Sequence, residues 1–218
     1  MSNAVYRNFK KTYKVDLLPT STENYDIGQK VERDFDGLDV DLSTFIDDLK
    51  LTRELSNGLV KQLRETTLVK ASFPKSELTK QALIKIGGFI PYIGTGFKSG
   101  FGMDKVVKME FSDIWAKQIN GDTLREIKRQ LNQYRDNNPK DFRRKLAKDL
   151  IIESLYYANK VVLLFNNITE KEMKASLEFW NIDFDTKVEA FTDNKVVIKG
   201  SQTLPFAANF KTLKDFID

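Results

Sequence analysis

The sequence contains neither histidine nor cysteine. That excludes disulfides, thiol nucleophiles and imidazole acid–base chemistry, together with nearly every zinc, copper or iron site, because those sites depend on imidazole or thiolate ligands. Serine–lysine pairs and paired carboxylates are the catalytic tools left, yet no clustered carboxylate spacing and no nucleophile-elbow pattern places them. Catalysis is therefore not expected, and neither is a cofactor. Long apolar runs are missing too. The longest stretch without a charge, Ile86 to Phe97, has twelve residues and is broken by Gly87, Gly88, Pro91, Gly94 and Gly96, against about 20 residues for a spanning helix. No apolar core of a signal peptide follows Arg7, Lys10, Lys11 and Lys14, so a cytoplasmic chain is expected. Asn167-Ile168-Thr169 fits a glycosylation sequon, which has no use in that compartment.

What is present is ordinary for a folded protein. At 218 residues, 41% hydrophobic and 30% charged, the chain can bury a substantial core, and one domain is expected. The net charge of +4 is unevenly spread. Asp16 to Asp48 carries ten acids against Lys30 and Arg33, a net of −8, whereas Arg125 to Lys148 carries nine bases against Glu126, Asp136 and Asp141, a net of +6. Two solvated faces explain this polarity; so does a patch for anionic lipid or nucleic acid.

Helical period appears in Val5 to Tyr13, with Val5, Phe9 and Tyr13 on one side and Arg7, Lys10, Lys11 and Lys14 on or near the other, which predicts a short basic amphipathic helix. Leu17-Leu18 reads as a first strand, and the acidic stretch through Asp41 shows turn residues and little periodicity. After Gly121, Thr123 and Glu126 suggest a capping box, and Leu124, Ile127, Leu131 and Tyr134 mark one helical stripe. Pro139 then opens a second helix, predicted to run to about Ser154 with Phe142, Leu146 and Leu150 inward, so that a helical hairpin covers about 122–154. Strand signals dominate elsewhere: Val107, Met109 and Phe111 alternate with polar neighbours, and Leu155 to Phe165 is more continuously apolar and suits a central strand. Val196 to Lys199 and Leu204 to Phe210 form a last pair, with Leu204, Phe206, Ala208 and Phe210 facing one way. No repeat and no βαβ alternation is present. The expected class is α+β, with a twisted, mainly antiparallel central sheet.

Three features bear on function, and each has a plain structural reading beside it. Phe89, Ile90, Tyr92, Ile93, Phe97 and Phe101 lie among glycines; they either pack as a buried loop or enter a bilayer, since exposing them is costly. The glycines match neither the dinucleotide nor the Walker pattern. Trp180, Ile182, Phe184, Thr186, Val188 and Ala190 alternate with charged or polar residues over eleven positions, a pattern that fits a half-buried strand and equally a membrane-crossing one of about 9–11 residues. Arg125, Lys128, Arg129, Arg143, Arg144 and Lys145 could form a nucleic-acid- or protein-binding face, or simply a solvated helix surface.

The order of these features resembles the gasdermins, in particular their compact bacterial and fungal members. The resemblance runs through Val5-Tyr6-Arg7-Asn8-Phe9, Val15-Asp16-Leu17-Leu18-Pro19, the glycine-rich apolar stretch followed by Val106 to Ile114, Leu150 to Phe165, and Val196-Val197-Ile198-Lys199-Gly200 through Leu204-Pro205-Phe206-Ala207 as a closing strand pair. It implies a pore-forming domain over the whole chain that oligomerises with its own copies on anionic membrane lipid, moving from cytoplasm to membrane in cell death or antiviral defence. An activating protease or partner protein is implied as well; nucleic acid is the weaker alternative. Arg7, Lys10, Lys11 and Lys14 would bind the membrane. Two segments, about Leu68 to Ile114 and about Ile152 to Phe191, would refold into amphipathic hairpins, inserting Phe89, Ile90, Tyr92, Ile93, Phe97 and Phe101 from the first and Trp180, Ile182, Phe184 and Val188 from the second. Strands closed into a barrel satisfy their backbone groups in lipid, which an open sheet cannot do. The sequence departs from the family's pattern in two respects: Asp218 comes just after the expected last strand, where most members carry an inhibitory domain or peptide, and there is no cysteine to carry a lipid.

Overall fold

The structure, a computed structural model, describes residues 10–11, 13–18, 25–34, 37–44, 46, 53–64, 66, 68–71, 76–79, 105–143, 150–179, 188–192, 194–201 and 205–217. In chain order these form β1 (Asp16–Leu17), β2 (Gln29–Asp34), β3 (Gly37–Thr44), α1 (Arg53–Arg64), β4 (Leu68–Lys70), β5 (Ser76–Thr79), β6 (Val106–Gln118), α2 (Gly121–Asn137) and α3 (Pro139–Asp141). After them come β7 (Leu150–Phe165), α4 (Glu170–Phe179), β8 (Val188–Thr192), β9 (Lys195–Ser201), β10 (Ala207–Thr212) and α5 (Leu213–Ile217). The class is α+β, and the described residues form a sheet of ten strands. The pairings β2–β3, β2–β7, β5–β6, β7–β9 and β8–β9 are all antiparallel. β7 borders β2, β6, β9 and β10, and its near-continuous apolar sequence suits a strand buried on both faces.

The chain divides into two compact units, the first made of Met1–Glu23, Lys70–Trp115 and Tyr156–Ala207, the second of Asn24–Val69, Ala116–Leu155 and Ala208–Asp218. The first unit has one apolar cluster. Val161 and Leu163 of β7 stand opposite Ile198 and Val196 of β9, Leu78 of β5 stands opposite Met109 of β6, and all six are buried in the same core. Phe111 and Phe206 stack there with ring centroids 4.4 Å apart and planes 11° off parallel, an arrangement that adds to the area they remove from water. α4 contributes Met173 and Leu177, one turn apart and both buried. It starts with a true capping box: Thr169 Oγ1 accepts from Glu172 N at 3.3 Å, and Glu172 Oε2 accepts from Thr169 N at 2.8 Å.

The second unit buries one face each of α1 and α2. Leu59 and Leu63 mark the stripe on α1; Thr123, Ile127, Gln130, Leu131 and Tyr134 mark it on α2. The turn into β2 depends on Gly28, whose φ of 83° is a left-handed conformation that costs a side-chain-bearing residue most. Its N–H donates to the Ile152 carbonyl at 2.9 Å, holding the turn against β7.

Several sequence expectations need correction. α2 is capped by Asn120, whose Oδ1 accepts from Asp122 N at 2.8 Å, and Thr123 is buried inside the first turn. Pro139 does open a helical turn, but Leu150–Ser154 belong to β7, so the second helix does not reach Ser154. Apolar residues at 142, 146 and 150 keep helical spacing, yet Ile151 and Ile152 are β-branched and both fully buried in the strand. The acidic stretch is not irregular. β2 and β3 form a hairpin with Asp34 opposite Gly37, a two-residue connection. β9 and β10 do not pair with each other as a closing hairpin; each borders β7. Phe206 and Ala208 are buried as expected, but so is Ala207, while Phe210 is half-exposed and Leu204 lies outside the described residues.

Candidate functional site

At the N-terminal end of the described chain, Lys10, Lys11 and Tyr13 complete a helical turn that stops at Lys14, whose N–H donates to the Lys10 carbonyl at 2.8 Å and whose φ is 61°. Lys11 and Lys14 are exposed. Lys10 Nζ sits 2.8 Å from Asp16 Oδ2, so part of its charge is answered within the protein. Tyr13 packs against the first unit's core, and its hydroxyl oxygen accepts from Glu77 N at 3.4 Å. Arg7, the remaining predicted membrane-binding residue, lies outside the described residues.

The strands that border the two expected hairpins are the longest in the molecule's described part, 13 residues for β6 and 16 for β7. Along β6 the core-facing residues are Met109 and Phe111, then Ile114 and Ala116. The phase changes at Asp113, which has φ 50°, the local geometry of a β-bulge. Asp113 Oδ2 accepts from Asn159 Nδ2 of β7 at 2.9 Å, and Lys70 Nζ lies 3.6 Å from its other oxygen. The Asn159 hydrogen bond, followed by the Lys70 charge, holds this carboxyl below the usual range. The charged residues of these strands pair across neighbours. Lys108 Nζ bridges Glu77 of β5 and Glu110, both at 2.9 Å, and those two carboxylates push the Lys108 ammonium upward. Lys160 of β7 meets Glu189 of β8 at 3.2 Å. Sequence reasoning did not single out these pairs, although the polar half of each strand's alternation contains them.

β8 corrects the predicted alternation at its described end. Val188 stands opposite Ile198 and packs on the core, but the register shifts before Ala190, which pairs with Val197 and is exposed. The extra residue turns Phe191 toward the core instead. A phenyl ring gains more from burial than a methyl group, so the irregularity is favourable. Trp180, Ile182 and Phe184 lie outside the described residues, as do Phe89, Ile90, Tyr92, Ile93, Phe97 and Phe101.

In the second unit part of the basic stretch is answered by local acids. Arg125 pairs with Asp122 one turn earlier, and Arg129 Nη2 lies 2.7 Å from Glu126 Oε1. Arg144 and Lys145 lie outside the described residues. A polar cleft of about 560 Å³ opens beside the start of α2, with Gln62, Gln118, Asn120, Asp122 and Glu126 in its wall. Hydrogen bonds from Arg129, then from Gln130, hold Glu126 down at about 2. A carboxylate so firmly ionised is a poor proton carrier near neutral pH. Among the described residues, no group of three acidic side chains is placed to hold a metal ion, and no helix is long and apolar enough to cross a membrane.

No protein-family model matches the chain, and no curated protein matches it. Among solved structures, the chain is similar to a bacterial gasdermin from Bradyrhizobium tropiciagri, at 10% identity over 92% of this chain and 82% of that one, with a TM-score of 0.49. At that level of similarity, any reading of function rests on this chain's own residues.

Proposed function

We propose that this protein permeabilises membranes in the manner of a gasdermin, the whole chain acting as one pore-forming domain, without catalysis. It gathers on anionic lipid, oligomerises with its own copies and inserts amphipathic β-hairpins, moving from the cytoplasm to the membrane in cell death or antiviral defence. The observation that supports this most is the length of β6 and β7, 13 and 16 residues. Strands in globular proteins run most often to about 5–6 residues, and a tilted strand needs about 9–11 to cross a bilayer. Most of each strand lies within a segment expected to refold, so part of each hairpin is already extended. Lys11 and Lys14, with Arg7 and Lys10, supply attraction to anionic headgroups. Phe89, Ile90, Tyr92, Ile93, Phe97, Phe101, Trp180, Ile182, Phe184 and Val188 supply the lipid-facing surface.

The alternative, a nucleic-acid- or protein-binding module on the basic helices, is weakened by the acids standing one turn from Arg125 and Arg129. Dye release from sealed vesicles decides between the two. Leakage is expected from vesicles containing phosphatidylserine or cardiolipin and not from pure phosphatidylcholine. Vesicles that stay sealed at every lipid composition, with the chain intact and after limited proteolysis, end the proposal.

A further inference from the structure

Within the second unit, the end of α2, the turn of α3 and the last helix α5 surround a groove of about 670 Å³. Its size is that of ordinary ligand sites, about 300–1,000 Å³. Its chemistry is divided. Arg135, Arg143 and Lys214 supply positive charge, while Pro139 and Ile217 supply apolar surface beside the nearly buried Phe142. One acid, Asp136, also lines it and lies 3.1 Å from Arg135 Nε. Among the described residues that line it, three cations against one acid leave a formal +2. Arg143 and Lys214 are exposed and form no ion pair with a described residue. Two further described acids stand near these elements, and one of them, Asp215, also interacts electrostatically with Lys214. Asp141 accepts from the Tyr134 hydroxyl at 3.1 Å, and Asp215 accepts from Thr212 Oγ1 at 2.6 Å in the cap of α5.

A free phosphate would use the cations and leave the apolar surface wet. A nucleic-acid strand would use the cations too, but its usual second contact is base stacking on aromatic rings, and the one ring among the described residues lining the groove, Phe142, is only 5% exposed. A ligand that uses both halves carries a negative head and an apolar body. We infer that the groove holds a single anionic phospholipid, its phosphate among Arg135, Arg143 and Lys214 and the upper part of its acyl chains on Pro139 and Ile217. Planar guanidinium groups suit the head, because they can donate two parallel hydrogen bonds to one phosphate. The inference rests on the proposed action at anionic membranes and gives that action a lipid site apart from the N-terminal lysines.

The test uses the full chain and dissolved lipid. Calorimetry with dihexanoyl phosphatidic acid, kept below its micelle concentration, is expected to show one saturable site. Inorganic phosphate and dihexanoyl phosphatidylcholine should each bind at least tenfold more weakly. Arg143→Glu and Lys214→Glu should each weaken the lipid at least tenfold, equivalent to about 1.4 kcal/mol, while Ile217→Asn should weaken the lipid and leave phosphate unchanged. If a charge reversal unfolds the chain, Arg143→Gln should still lower lipid affinity severalfold. Absence of a saturable site, equal affinity for phosphate or for a thymidine oligonucleotide, or unchanged affinity in the charge variants overturns the inference. No bilayer is present in this experiment. Its failure therefore leaves permeabilisation to the dye-release result, and sealed vesicles alongside intact lipid binding would remove the pore and keep the groove.

Discussion

On the sheet of the first unit acids and bases meet across strands, whereas on α2 of the second they meet along one helix. Lys108 reaches Glu77 on β5, Lys160 reaches Glu189 on β8, and Lys70 reaches Asp113 on β6. On α2, Arg125 and Arg129 are paired with residues three positions earlier. An i,i+3 pair forms in any helix and is worth only about 0.2–0.5 kcal/mol. A cross-strand pair exists only if the register is right. The difference teaches where a charge-rich sequence can be read: cationic density on a helix overstates the free charge, because the answering acids stand one turn away.

That comparison can be broken most severely through the cores. Phe111→Ala removes a fully buried ring and its stack on Phe206, and urea unfolding should show a loss of about 3–5 kcal/mol. Ile127→Ala on α2, also fully buried, should cost about 2–5 kcal/mol. A loss under about 1 kcal/mol at either site would mean that its packing has been misplaced. Gly200→Ala comes next. A methyl group there would stand 1.8 Å from the Ala158 carbonyl oxygen of β7, so β9 must move away, at a cost of about 1–3 kcal/mol. A variant as stable as the parent would show that β9 and β7 are not in such close contact. Thr169→Ala removes half of α4's capping box and should cost about 1 kcal/mol, read from the shift of the urea midpoint.

The charge pairs sit at the small end of the series. Lys160→Ala and Arg129→Ala should each change stability by less than about 1 kcal/mol, the effect shrinking further in high salt. Titration sharpens this. Glu126 is held down at about 2 from the usual 4.5, so its contribution is complete above 4.5 and disappears as pH falls through about 2. Lys108 is raised above 10.5; its contribution is complete below 10.5 and fades as pH climbs through the raised value. Carboxyl NMR titration that finds Glu126 near 4.5 would remove the Arg129 and Gln130 contacts from the account.

Much of this fold could be read in advance where one signal ruled. β7 follows from an apolar run too continuous for a half-exposed strand, and α2 follows from Ile127, Leu131 and Tyr134 at helical spacing. Conflicting signals hid the rest. α1 contains Ser56-Asn57-Gly58 in its interior, three poor helix formers that Leu59 and Leu63 outweigh by burial. The β2–β3 hairpin was visible in Leu38, Val40 and Leu42 alternating with Asp39, Ser43 and Asp41, but the acids drew attention to charge before period. α4 announces itself through Thr169 and Glu172, and α5 through Thr212 and Asp215, both at capping-box spacing. The groove beside α5 could not be read at all, since Arg135 and Lys214 are far apart in sequence and meet only in the fold. Of the residues predicted to touch the membrane, only Lys10, Lys11, Lys14 and Val188 fall within the described residues.

The phase change at Asp113 bears on how β6 tolerates length variation. Removing one residue from a regular strand rotates everything on one side of the cut by half a pleat, sending core residues outward. At Asp113 the strand already changes phase, with φ 50°. Deleting it would carry Ile114 and Ala116 into the positions that continue the Met109 and Phe111 series, so both halves keep their facing. The Asn159 and Lys70 contacts would be lost, but the core side would remain continuous. Single-residue deletions scanned from Met109 to Gln118 should therefore be tolerated best at Asp113.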